Sequence, residues 1–208
     1  PTINQEYQNI VRFIESGTRN RHSYISGKIK VLNLWKVENS SPAFIKKQQE
    51  IAKSCNDKNI PVIFQPEKSQ VEKDSNTMLL FHGTRSVNVT GILQGFRLPQ
   101  NLNGVQINGS LLGPGVYHAC DYKKSVGYCS VNNSYWAKGA GTVSNRKAFM
   151  FLNDVILGNP HYVKTPQNNP PKDKDSMIAI MGGSFQNEEF VVYTLDQFWP
   201  RYLVEFDI

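Results

Sequence analysis

The sequence predicts an α+β fold. Short apolar runs with a period of two outnumber helical segments, the helices do not alternate regularly with the strands, and asparagine- and glycine-rich loops separate the runs. With 208 residues, 39% apolar and 19% charged, the chain can bury one substantial core, so residues 1–208 are expected as a single unit with 1–27 as an N-terminal helical extension.

Ile3, Tyr7, Ile10, Val11 and Ile14 recur at i, i+4, i+7, i+8 and i+11, the stripe of an amphipathic helix that stops near Gly17. In KIKVLNLWKV, residues 28–37, strict alternation would put Ile29, Val31, Asn33, Trp35 and Val37 on one face of a strand and Lys28, Lys30 and Lys36 on the other. A second helix is expected over Ala43–Ser54, and the polar stretch Gln65–Asn76, with Pro66 and several charges, reads as a loop before a short strand at Met78–Phe81. Val87–Leu93 gives two helical turns closed by Gly95. Leu98–Gly115 has no periodicity and suits a cover over a site. Val116–Ala119 reads as a strand, and Asp121 as the N-cap of a helix running to about Cys129. Phe149–Leu157, Glu189–Tyr193 and Arg201–Phe206 are strand-like, and Pro166–Lys174 is a proline-rich loop.

Composition excludes several classes. No apolar run reaches membrane-span length, and the polar start PTINQEY lacks the layout of a secretory signal. Cys55, Cys120 and Cys129 form no CxxC pair, which favours a reducing, intracellular setting, nuclear or cytoplasmic in a eukaryote. The charge of +6 suits an anionic partner and leaves room for nucleic acid, but the lysines and arginines are scattered without interleaved aromatics, as on a solvated surface. Neither GxGxxG nor GxxxxGK occurs. His118, Cys120 and Cys129 lack the fourth ligand of a zinc site, so no metal is expected.

Three segments remain: LLFHGTRSVNVTGILQGFR, GSLLGPGVYHACDYKKSVGYCS and NEEFVVYTLDQFWPRYLVEF. In order and separation they resemble the catalytic domain of the poly(ADP-ribose) polymerases, within the diphtheria-toxin-like ADP-ribosyltransferases. KIKVLNLWKVE resembles that family's first strand, so the likeness covers about 180 residues. Taken singly, Ser125 would pass for a surface serine and Tyr128 for a packed tyrosine. Their joint occurrence with the other motifs in family order carries the resemblance.

The resemblance implies two packed, mainly antiparallel sheets with flanking helices, and NAD⁺ as co-substrate. Catalysis would cleave the nicotinamide–ribose bond through an oxocarbenium-like transition state, which a nearby carboxylate stabilises. It assigns that carboxylate to Glu189, because the family's pattern matches EFVVY and alternation turns Glu188 to the opposite face. His82 would hold a ribose hydroxyl. Gly83, with Thr84 beside it, would take the nicotinamide carboxamide, where the missing Cβ permits close approach. Ser125 would bond the same carboxamide, Tyr117 and Tyr128 would stack on the ring, and Arg97 and Lys124 would lie beside the nucleotide. Ser125 and Tyr128 are expected at i and i+3 on one helix.

The His82, Tyr117 and Glu189 set implies polymer formation on an acceptor protein or on the enzyme itself. Mono-transfer and a catalytically silent NAD⁺- or ADP-ribose-binding module are the alternatives. Ser110 and Leu111 stand where relatives often carry an aromatic and a methionine, and His118 where an aromatic is common. The segment Lys53–Asn76 is longer than in close relatives. No regulatory helical subdomain is expected in the roughly 75 residues ahead of His82.

Overall fold

The computed structural model describes residues 3–16, 28–38, 41–63, 68–96, 111–129 and 147–207. Two four-stranded sheets form its centre. The first has the order β1–β8–β4–β2, built from β1 (Lys30–Lys36), β2 (Thr77–Gly83), β4 (Ala148–Ile156) and β8 (Phe198–Asp207), all antiparallel. The second has the order β3–β7–β6–β5, built from β3 (Val116–His118), β5 (Pro160–Val163), β6 (Ser176–Ala179) and β7 (Glu189–Val192); only β5 and β6 run parallel. The α+β expectation holds.

Period-two alternation sorts each strand between two cores. On β4, Ala148, Met150 and Leu152 join Phe81, Val204 and Phe206 on the outer face of the first sheet. Val155 meets Leu80, Val116, Ile178, Phe190 and Val192 between the sheets. The outer core is closed by α1 (Ile3–Glu15) and α5 (Tyr122–Val126). Of the N-terminal helical extension expected over residues 1–27, residues 17–27 lie outside the described residues; in α1, Ile14 is wholly buried and Phe13 stacks on Phe81 at 5.6 Å. Tyr202 donates to Glu6 (2.6 Å) and Lys36 pairs with it (2.9 Å), fixing the other end of α1.

Four local expectations need correction. In β1 the register against β8 shifts between Val31 and Asn33, a bulge that changes the phase of alternation. Leu34 therefore packs on the core, while Trp35 is 45% exposed and lies against Phe149. The polar stretch before β2 holds a helix, α3 (Gln70–Asp74), started by a capping box. Ser69 N–H donates to Glu72 (2.9 Å), and Glu72 N–H donates to the Ser69 hydroxyl. The helix after Asp121 ends at Val126, not near Cys129. Finally, β5 and β6 went unpredicted: each has four residues, β5 opens on Pro160, and β6 is buried on both faces and shows no alternation.

The remaining helices follow their signals. Helix α2 (Pro42–Asp57) is capped by Ser41, which accepts from Ala43 N–H, and buries Phe44, Ile51 and Cys55 against Ile156. Helix α4 (Val89–Gln94) closes at Gly95. No helix among the described residues is long and apolar enough to cross a membrane.

Because Ile14 joins helix to sheet, Ile14→Ala should lower the unfolding free energy by about 2–5 kcal/mol in denaturant titrations. Tyr7→Ala, on the exposed side of α1, should change it by no more than about 0.5 kcal/mol.

Candidate active site

The two sheets meet edge to edge where Phe81 of β2 bridges Ala119, just past β3: Phe81 N–H donates to Ala119 O (2.8 Å) and Ala119 N–H to Phe81 O (2.9 Å). His82 is the next residue. Its Nδ1 lies 2.9 Å from the carbonyl oxygen of Tyr117, so Nδ1 carries the proton and Nε2 keeps its lone pair. Burial pushes the His82 pKa below its ordinary value, opposed by the Tyr117 carbonyl. The imidazole is therefore neutral at pH 7.

Gly83 has a local reason to be glycine. A Cβ there would sit 2.0 Å from the carbonyl oxygen of Ser125, so β2 and α5 could not pack as they do. Thr84 is buried, and its hydroxyl accepts from Asn88 at 3.4 Å. Ser125 is also buried, and its backbone carbonyl is the group that Gly83 faces.

At the start of β7 two adjacent carboxylates part, Glu188 just ahead of the strand and Glu189 at its first position. Glu189 is in phase with Val191 and, through the Tyr117–Val191 pair, with the Tyr117 side chain on the outer face of the second sheet. Lys124 Nζ lies 2.6 Å from Glu189 Oε1, both side chains being about 13–14% exposed. Glu188 instead accepts from the Cys120 thiol at 3.3 Å. The Lys124 ammonium is also 5.8 Å from the centre of the Tyr128 ring, a cation–π distance. Tyr128 lies beyond the end of α5 and is linked to Ser125 by a turn, with Tyr128 N–H donating to Ser125 O at 3.0 Å; the two do not share a helix face. Arg97 lies outside the described residues.

Tyr117 ties strand to loop. Its hydroxyl accepts from Leu112 N–H and donates to Gly113 O, both at 2.9 Å. Burial, with the Glu189 charge adding to it, pushes the phenol up to about 12, so it stays protonated. Two further residues escaped the sequence reading. Asn153 reaches the buried His118 at 3.1 Å, and the His118 ring lies 5.5 Å from that of His82. Tyr193 donates to Leu112 O at 2.6 Å; its sign in the sequence was that it follows Glu189 and Val191 at the same period of two.

The site is thus a seam, with His82 and Gly83 from one sheet, Tyr117 and Glu189 from the other, and Lys124, Ser125 and Tyr128 from the α5 segment between them. A family model described as the poly(ADP-ribose) polymerase catalytic domain matches residues 4–181. The chain belongs to that family. The matched span stops short of Glu189, whose place rests on the strand pairing. Among curated relatives, poly(ADP-ribose) polymerase 2-A of Oryza sativa subsp. japonica is 29% identical over 164 residues, covering 62% of this chain and 23% of the relative. Protein mono-ADP-ribosyltransferase PARP3 of Homo sapiens is 32% identical over 111 residues, covering 51% and 18%. Protein mono-ADP-ribosyltransferase PARP11 of Homo sapiens is 27% identical over 222 residues, covering 99% and 58%. The chain therefore spans about a quarter of the rice polymerase and little more than half of the last relative. Polymerases and mono-transferases both stand among the relatives of this catalytic domain.

Two predictions follow from the packing. Gly83→Ala should force α5 away from β2 and cost about 1–3 kcal/mol of stability, read from denaturant midpoints, because the opposing atom is backbone. His82 and His118 both have pKa values lowered by burial. The unfolded chain takes up their protons near pH 6.5 and the native one resists, so stability should fall as pH drops below about 6.5, by up to about 1.4 kcal/mol per pH unit for each histidine. His118→Phe should flatten that slope; an unchanged slope would show that His118 is not titrating as its burial requires.

Proposed function

We propose that this domain catalyses NAD⁺-dependent ADP-ribosyl transfer. The observation that carries the reading is the placement of Glu189 on the Tyr117 face of the second sheet, with His82 tied to the Tyr117 backbone across the seam. In the reaction the bond between nicotinamide nitrogen and anomeric carbon breaks and its electron pair leaves with nicotinamide. An acceptor oxygen or nitrogen bonds to the anomeric carbon and loses its proton.

Each residue has a part in that sequence. The neutral His82 accepts from a ribose hydroxyl through Nε2 and orients the sugar; it is a positioning group, not the proton-transfer group. Backbone at Gly83, with Thr84 beside it, and the Ser125 hydroxyl receive the carboxamide. Among these, Ser125 is buried directly beside Gly83, where its hydroxyl fits a polar ligand. Tyr117 and Tyr128 flank the ring. Glu189 stabilises the developing ribosyl cation and polarises the acceptor. Lys124 holds the Glu189 carboxylate in one orientation, and its ammonium remains near enough to serve the nucleotide's charge. Arg97 is proposed for the same nucleotide side.

The His82–Tyr117–Glu189 set supports chain elongation, with a protein or the enzyme itself as first acceptor. Mono-transfer is favoured by a different observation, the mono-ADP-ribosyltransferase relative that aligns over 99% of the chain. Cys55, Cys120 and Cys129 form no disulfide, which fits a reducing intracellular setting.

Incubation with labelled NAD⁺ tests the proposal. The wild type should label acceptor, as a smear if it elongates and as a sharp band if it transfers once, while Glu189→Gln should lose about 100-fold or more of the rate. Label that survives Glu189→Gln undiminished would remove the glutamate from the chemistry. Release of nicotinamide without any labelled acceptor would make the domain a glycohydrolase, and tight NAD⁺ binding without turnover a binding module.

A further inference from the structure

We infer that Tyr193 is a positioning residue for the nicotinamide end of the site, acting through the loop at Leu112; this rests on the NAD⁺ reading above. Leu112 is wholly buried on the outer face of the second sheet, among Val163, Met177 and Val191. Its two backbone polar groups are both taken by phenols of that sheet. Tyr117 receives the Leu112 N–H at 2.9 Å, and Tyr193 donates to the Leu112 carbonyl at 2.6 Å. The loop has no slack on its far side. Gly113 has φ +77°, a Cβ there would stand 1.7 Å from Asn168 O, and Gln167 N–H donates to Leu111 O at 2.9 Å.

The Tyr117 hydroxyl is consumed by this arrangement, with one bond accepted from Leu112 and one donated to Gly113. Tyr117 therefore cannot keep its ring orientation unless Leu112 stays where it is. Tyr193 is what fixes the other side of the Leu112 peptide. It does so from the end of β7, two residues beyond Val191 and four beyond Glu189, on the same face. One strand thus carries the reacting carboxylate and the latch that sets the facing aromatic. Burial raises the Tyr193 pKa, with Tyr117 adding to it, so the phenol remains a donor throughout the ordinary pH range.

Removing the latch should loosen the aromatic wall and leave the carboxylate in place. A flat wall binds ground state and transition state alike, so its loss shows in KM and not in kcat. Tyr193→Phe keeps the ring and removes only the hydroxyl. It should raise KM for NAD⁺ about fivefold, the equivalent of one net hydrogen bond, with kcat within about twofold of wild type. Amide hydrogen exchange over residues 111–117 should quicken in the same variant without NAD⁺. Tyr162→Phe, at an exposed tyrosine on β5, should alter neither. Unchanged exchange would show that the hydroxyl holds nothing, and quickened exchange with unaltered KM would confine the latch to structure; either overturns the inference. A fall in kcat at constant KM would overturn it as well. Should the wild type neither bind nor turn over NAD⁺, the proposed function fails and the positioning role fails with it, while the exchange data still report whether the latch itself exists.

Discussion

Two hydrogen bonds between Phe81 and Ala119 hold the architecture of the site. Neither sheet contains a complete set of the proposed groups, and this antiparallel bridge is where their edges join. The strand β2 has its other edge on β4, so the bridge fixes the end of β2 against the end of β3 to within the tolerance of backbone hydrogen bonding. His82 and Gly83 then have little freedom. One is tied to the Tyr117 carbonyl, and the other meets the Ser125 carbonyl so closely that no side chain fits. Phe81 itself is wholly buried and stacked on Phe13, so the hydrophobic core beneath α1 supports the polar seam above it.

Electrostatics completes what the backbone begins. Withdrawing a carboxylate partly from water is costly unless a counter-charge is near. Lys124 supplies it from α5, and the same helix brings Ser125 against Gly83. The helix is short, with only five residues from Tyr122 to Val126, and Asp121 caps it by accepting from Lys123 N–H at 2.8 Å. Tyr122 and Val126 bury its other side. A five-residue helix has little intrinsic stability. Its position is set by tertiary contact with Gly83 and Glu189 at the seam.

Long periodic segments were legible in the sequence, and short or buried ones were not. The stripe of α1, the apolar run of β4 and the N-cap Asp121 are local signals, and each marked an element that is present, although the helix after Asp121 stops at Val126. The bulge in β1 changes the phase of a strand through its pairing with β8, information that lies about 170 residues away. Strands β5 and β6 have only four residues each and no alternation, so their pairing defines them and their composition does not. The Ser69–Glu72 capping box was present in the sequence but masked by the surrounding charge and Pro66. For the site, the motifs in family order pointed to His82, Tyr117, Ser125 and Glu189. The partners of Lys124 and Tyr193 are set only by the folded structure, because each joins segments far apart in the chain.

The choice between Glu188 and Glu189 shows how far function here is a matter of register. Glu188 just precedes β7 and Glu189 opens it, and composition cannot tell them apart. Pairing Tyr117 with Val191, and Ala179 with Glu189, puts Glu189, Val191 and Tyr193 on the outer face and sends Phe190 and Val192 into the core between the sheets. A slip of one residue would exchange those faces. It would drive Glu189 towards the apolar space that Phe190 fills and present Glu188 to Lys124 instead. The packing opposes that slip, since Phe190 and Val192 would leave the core between the sheets while Val191 and Tyr193 lost their contacts with Leu112 on the other face. The hydrophobic pattern of FVVY therefore does more than build a strand: it selects which of two adjacent carboxylates can reach Lys124 and Tyr117.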